Sequence, residues 1–221
     1  MATTAAYKGL VPVNLIGGRP YNGGAMREYK VTANNSAAMF SGDVIALTSA
    51  GQPVARTATP TAIKIPATAA NATAGIMGVM VGCRYVDSDG VQKFAQYLPV
   101  NSITGGFTDV FVMVNDEPDQ IFSIVGSAAL GTFNSGTDGS GWPGAVGKNA
   151  ALGNFSAGST TTGNSGVNLV VGSNGGSLAA TSTLAMRIVD VVRGTENDDY
   201  PEFIVKFNVG VHSYDNSLGL A

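Results

Sequence analysis

The sequence is short of charge. Only 12% of its residues are Asp, Glu, Lys or Arg, against about 25% in a typical globular domain. It has one cysteine, one histidine and one tryptophan in 221 residues. A single cysteine, Cys83, excludes an intrachain disulfide and gives no sign of oxidising secretion. A single histidine, His212, far from Cys83, leaves no zinc ligand set and places the usual general base at one point only. The apolar runs, Gly75 to Cys83 among the longest, fall short of the ~20 residues of a membrane helix. The Met-Ala-Thr-Thr-Ala-Ala-Tyr-Lys start has no basic stretch leading into an apolar run, so no signal peptide is expected. Net charge is −3 and the pI about 5.0, which offers no basic stripe for nucleic acid.

In place of charge stand Gly, Ser, Thr, Asn and Ala, with 30 glycines, while 44% of the chain is hydrophobic. Charge keeps proteins apart in solution, so a β-rich chain with so little of it is a solubility hazard on its own. Such a surface fits a protein covered by neighbours in an assembly better than a freely diffusing enzyme.

The apolar residues fall in short runs between turn residues, with no amphipathic helix of real length. Strands are predicted at 26–32, 43–47, 52–57, 75–85, 91–98, 110–114, 120–125, 167–171, 184–193 and 202–211. The run Gly-Ile-Met-Gly-Val-Met-Val-Gly-Cys-Arg-Tyr at 75–85 reads as a strand buried on both faces. Asp87-Ser88-Asp89-Gly90 reads as a hairpin turn. One short helix fits within 126–131. This pattern predicts an all-β barrel or sandwich. Residues 1–30 read as an extended N-terminal arm, punctuated by Pro12, Pro20 and two Gly pairs. Residues 31–221 form the β domain, with a long Gly/Ser/Thr-rich, irregular insertion at about 126–182.

The arm invites two readings. It can lie along a partner's sheet edge by strand addition, with Leu15 and Ile16 buried there and Arg19 and Tyr21 anchoring the rim. Alternatively it is the first edge strand of the chain's own sheet. Catalytic readings have little to stand on. His212 can pair with Asp215 and a serine, but a contact histidine on a terminal strand explains it as well. Cys83 sits in an apolar run, where a thiol is inert, although Arg84 adjoins it. The acidic groups Asp87/Asp89, Asp116/Glu117/Asp119 and Glu196/Asp198/Asp199 have oxygens for calcium, but turn chemistry accounts for each. No Walker A string occurs. No catalytic, cofactor-binding or metal-binding residue is therefore assigned.

Several strings in order carry a resemblance: VPVNLIGGRPYNGG (11–24), REYKV (27–31), FSGDVIAL (40–47), GVMVGCRYVDSDG (78–90), FAQYLP (94–99), VNDEPDQIF (114–122) and MRIVDVV…YPEFIVKFN (186–208). Together they resemble the capsid decoration, or cement, proteins of tailed bacteriophages, cyanophage-type sequences in particular. The stretch 126–182 has no counterpart in it. The resemblance implies a β-tulip-like barrel that binds the shell of the major capsid protein on the capsid exterior. It further implies a non-enzymatic virion protein, made in the host cytoplasm and associated with copies of itself as a dimer or trimer, without nucleic acid or membrane as partner. Tail, baseplate and fibre proteins share this composition. A β-sandwich hydrolase would need a cleft with converging acids or a base beside a nucleophile. A carbohydrate-binding module would need exposed aromatics, for which Trp142 and the tyrosines are the candidates.

Overall fold

The computed structural model describes residues 5–16, 26–31, 35, 37–47, 53–55, 76–130, 143–155, 157–172, 175–182 and 184–215. Arg19, Tyr21, the Ala/Thr/Pro loop at 58–74, Phe133 and Trp142 lie outside the described residues. In chain order the strands are β1 (Val11–Leu15), β2 (Met26–Lys30), β3 (Met39–Phe40), β4 (Val44–Leu47), β5 (Pro53–Ala55), β6 (Ile76–Val86), β7 (Gln92–Ala95), β8 (Tyr97–Leu98), β9 (Thr108–Asn115), β10 (Gln120–Val125), β11 (Asn149–Gly153), β12 (Asn168–Val170), β13 (Met186–Val191) and β14 (Glu202–Phe207). The predicted all-β class holds. The strands expected around 26–32, 43–47, 75–85, 110–114, 120–125, 184–193 and 202–211 are present within a few residues of their predicted limits.

A six-stranded antiparallel sheet runs β1-β10-β14-β13-β11-β12. A second sheet runs β2-β9-β6-β4-β5, with β7 also paired to β6, and β3 and β8 form a small two-stranded sheet. The first sheet curls on itself. Just past β10, Gly126 N–H donates to Pro201 O on the β14 side, while Ser127 N–H donates to Leu169 O in β12 on the other. The strand series that begins at β10 therefore returns to it through the Gly126–Leu169 bridge. Strand β14 shows why the curl encloses a core: Phe203, Val205 and Phe207 are buried, and the residues between them face outward half-exposed, the period-2 alternation of a strand with one dry face.

The second sheet is dry on both faces over part of its length. Val44, Ile76 and Val79 join the core of the first sheet, which includes Phe122, Phe203 and Phe207. Ile45, Met80, Cys83, Val110, Val112 and Val114 turn the other way, onto Met39 and Leu98 of the β3–β8 pair. This is the two-sided burial predicted for the 75–85 run. It leaves Cys83 fully buried, with burial pushing its thiol up to about 12.

Four expectations change. The described part of residues 1–30 does not stand apart: β1 pairs with β10 in the first sheet, β2 pairs with β9 in the second, and Leu10 lies in the core. The second reading of the arm, an edge strand of the chain's own sheet, is the one observed. The stretch 126–182 is no irregular appendage either. It supplies β11, β12 and the buried Leu130, Ala150, Leu152, Phe155, Val167, Leu169 and Val171. β12 is the short strand expected at 167–171, while β11 was not expected, being too short to show an alternation amid glycine and alanine. The return strand expected at 91–98 is divided, because at Gln96 the chain leaves β6 and Tyr97–Leu98 pair with β3 instead. Residues 126–130 run as bridge and bend, with no helix.

The layers meet at the turn formed by residues 40–43. Ser41 N–H donates to both Gln96 O and Gly163 O, and Ser41 O accepts from Ser165 N–H. Gly42 O accepts from Leu10 N–H, and Gly42 N–H donates to Met80 O. Gly42 has φ +92°, and a Cβ there would lie 2.6 Å from Lys8 O, so only glycine allows this crossing of two backbones. At the centre, the Asp43 carboxylate is 3% exposed and accepts from Phe40 N–H (2.8 Å) and from the Ser165 hydroxyl. Phe40 stacks on Tyr97 at 5.7 Å between ring centres. On its other side the Phe40 ring lies against Gly158, where a Cβ would overlap it.

Two outcomes follow for stability. Gly158→Ala pushes a methyl into the Phe40 ring, an overpacking expected to cost about 1–3 kcal/mol in urea unfolding. Burial raises the Asp43 carboxyl from 3.8 to about 6, partly offset by its two hydrogen bonds. The folded state thus holds this proton more tightly than the unfolded state does. Its contribution to stability falls as pH rises through the window from about 4 to 6, by about 3 kcal/mol at 1.36 kcal/mol per unit. Buried His212 works in the opposite sense: its pKa is lowered, so its contribution is lost as pH falls below about 6.5. The difference in unfolding free energy between wild type and Asp43→Asn isolates the first effect. It should grow in favour of wild type from pH 6.5 down to pH 4.

Candidate interaction surface

Seven of the ten exposed large apolar side chains among the described residues lie in two regions, with Met26, Val100 and Tyr214 elsewhere. Val11 (36%), Val13 (39%), Ile16 (39%), Val146 (39%) and Val209 (79%) lie on the β1 strand and at the adjoining end of the first sheet. Val91 (54%) and Phe94 (70%) lie on the β6–β7 hairpin.

Among the described residues β1 pairs with β10 alone and forms one edge of the first sheet. Its register slips between Pro12 and Asn14, and Pro12 lacks an N–H, so both features blunt this edge. Its far end is well anchored. The fully buried Gln120 donates its amide to Asn14 O (2.7 Å) and accepts from Asn115 Nδ2 (3.1 Å). Ile16 N–H then donates to Asp119 O at 2.9 Å. Of the predicted contact residues, Leu15 is half-buried opposite Gln120 and Ile16 is exposed, while Arg19 and Tyr21 lie outside the described residues.

Beside Ile16 opens a groove of about 350 Å³. Its walls are Ile16, Val146, Val189 and Val209, and Arg187 and Lys206 reach into it. The Arg187 guanidinium is held from two sides: Nε donates to Asn149 Oδ1, and an NH2 group to Asn208 Oδ1 at 3.4 Å. Each asparagine is oriented in turn, since Asn149 Nδ2 donates to Thr181 O (2.8 Å) and Asn208 Nδ2 to Leu184 O (3.1 Å). Arg187 thus has a fixed direction, and among the described residues no carboxylate pairs with it. Lys206 stands 3.7 Å from Asp119. Sequence reasoning reaches Ile16 through its arm but misses Arg187, Lys206, Val146 and Val209. Their only signal is the outward half of the strand alternation.

The hairpin surface is electrostatically closed. Arg84 forks onto Glu28 (2.9 and 2.8 Å) and lies 3.9 Å over the Phe111 ring. The Glu28 carboxyl is held below its ordinary value, first by the hydrogen bonds from Arg84.

The remaining chemical candidates are accounted for locally. Asp87 accepts from Asp89 N–H and Val91 N–H and pairs with Lys93, which together hold its carboxyl low. Asp116 accepts from Tyr29 OH (3.0 Å) and Tyr214 OH (2.9 Å) and meets Arg27 Nε at 3.1 Å. Glu196 accepts from Gly194 N–H. Among the described residues no group of three or more His, Cys, Asp or Glu side chains is placed to hold a metal ion. His212 Nδ1 accepts from Tyr214 N–H at 3.2 Å and the ring packs by Phe207; among the described residues no hydroxyl nucleophile is bonded to it. Ser165 does bond a carboxylate, Asp43, but both are buried in the 40–43 junction.

Compared with protein-family models, curated proteins and solved structures, the chain matches none.

The exposed valines and isoleucine contribute to contact more than to folding. Ile16→Ser and Val209→Ser should each change unfolding free energy by no more than about 0.5 kcal/mol, as at ordinary surface sites. Sedimentation velocity at rising concentration should show less self-association in both variants than in wild type.

Proposed function

We propose that this chain is a structural virion protein, which decorates and stabilises a tailed-phage capsid by binding the major capsid protein shell from outside. The observation that carries the reading is the meeting of exposed Ile16, Val146 and Val209 at one groove, beside the strand that carries exposed Val11 and Val13, on a chain with 12% charged residues. A free monomer gains nothing from an exposed apolar rim of this kind, whereas a shell-bound protein covers it. The interlocked 40–43 junction fits the same role, because a cement protein must transmit contact forces without a loose segment between its layers. In this reading the protein acts without catalysis and self-associates, is made in the host cytoplasm, and is carried on the virion exterior.

Co-expression with the shell protein of the same genome, followed by gradient sedimentation, tests this. The chain should travel with assembled shells and raise their melting temperature. A chain that stays at the top of the gradient beside intact shells overturns the capsid assignment. Co-migration with tail structures instead moves it to another part of the virion.

A further inference from the structure

The groove beside Ile16 says more about the partner than that it is apolar. Among the described residues six of the nine lysines and arginines have an acid within 4 Å, and Arg187, Lys148 and Arg193 are outside these pairs. Arg84 has Glu28, Arg27 has Asp116, Lys93 has Asp87, Lys8 has Glu202 and Lys30 has Asp109. Arg187 is different. It is exposed, and its two hydrogen-bond partners are neutral amide oxygens. Asn149 is 1% exposed and Asn208 is 5% exposed, so the amides that aim the guanidinium are part of the packed structure and not a chance surface contact. A guanidinium has five N–H donors in a planar fork, and the two asparagines leave donors free. Lys206, partly neutralised by Asp119, adds positive potential to the same groove. The aliphatic walls lower the local dielectric, which strengthens a charge pair formed against them.

We propose that this groove recognises an extended segment of a partner protein, with an aliphatic side chain between Ile16, Val146 and Val209 and a carboxylate on Arg187. The proposal deepens the structural reading above and rests on it in taking the partner to be a protein. An extended chain suits the place because the groove runs from Ile16, just past β1, over the outward side chains of β14 and β13, a course that an extended segment can follow. In such a segment side chains two positions apart lie on one face, about 7 Å from each other. The recognised pattern is therefore aliphatic-x-acidic. The carboxylate is the complement that Arg187 lacks among the described residues, and charge-assisted, forked hydrogen bonds of this kind carry specificity as well as energy.

Fluorescence anisotropy on the full chain, with labelled peptides blocked at both ends, tests the pattern. The probes are Thr-Val-Thr-Glu-Thr, its Gln counterpart and the register-shifted Thr-Val-Glu-Thr-Thr. The Glu peptide should bind about tenfold tighter than the Gln peptide, the size of one charged hydrogen-bonded contact, and tighter than the shifted one. Arg187→Gln should erase the preference for Glu over Gln, and Val209→Ser should weaken both peptides alike. Equal affinity of wild type for Glu and Gln peptides, or a preference that survives in folded Arg187→Gln, overturns the proposal. So does failure of every peptide to bind. If Arg187→Gln does not fold, Arg187→Lys, which keeps the charge and loses the fork, should reduce the preference, and an undiminished one counts against the proposal. If no peptide binds and wild type is an oligomer that Val209→Ser converts to monomers, the groove is occupied by a second copy and the proposal fails. Peptide recognition without shell co-sedimentation would sink the capsid reading alone. Shell binding that is indifferent to Arg187→Gln would sink this inference alone.

Discussion

Asp43 brings a carboxylate into a place that water hardly reaches, and the turn around it joins nearly everything else. Its side chain accepts from the main chain at Phe40 and from the Ser165 hydroxyl, 122 residues away in sequence. The flanking main chain bonds Leu10, Met80, Gln96 and the 163–165 segment. A buried charge is costly unless fully hydrogen-bonded. Here it is tolerated because it closes the one junction where the N-terminal strand, the central strand and the long excursion meet. An aspartate, a serine and two small glycines do this in the absence of disulfide or metal ligation. The cost appears as the raised pKa of the carboxyl.

Around that junction the protein spends its few charges unevenly. On the second sheet they are paired, often over an aromatic ring, as in the Glu28–Arg84–Phe111 stack. Such a surface is satisfied by itself. At the end of the first sheet an aimed arginine has no carboxylate partner among the described residues, and aliphatic side chains beside it stand exposed. The contrast between a self-satisfied face and an unsatisfied one gives the molecule a direction, which overall composition does not show.

The legible parts of the fold were those where side-chain pattern alone decides the element. The 75–85 run announced a strand dry on both faces, and the structure places it between two clusters. The Asp87–Gly90 turn was legible because aspartate bonding to its own backbone is local chemistry. The strand at 168–170 was legible as the short valine-rich run at 167–171, whereas the one at 149–153 was hidden by its loop, and what makes it a strand is a sheet whose other members lie elsewhere in the chain. The groove divides the same way. Ile16 stood out as part of an apolar arm. Arg187 did not, because its meaning comes from Asn149 and Asn208 beside it and from the lack of an acid, relations that exist only after folding.

The order of strands in the first sheet differs from the order of their synthesis. Strand β14, at Glu202–Phe207, is made after every other described strand, yet it sits between β10 and β13. Until it emerges from the ribosome those two strands have no neighbour to pair with across that gap, and Phe203, Val205 and Phe207 are missing from the core. The N-terminal Leu10 and the C-terminal Val211 belong to that same core. A nascent chain stopped anywhere short of β14 is therefore an open, apolar sheet with two bare edges, and closure waits on contacts of long sequence separation, which form slowly. The molecule is in this sense all-or-nothing in time as well as in energy. For a chain this poor in charge, the interval between β13 and β14 is when it most needs either a chaperone or speed.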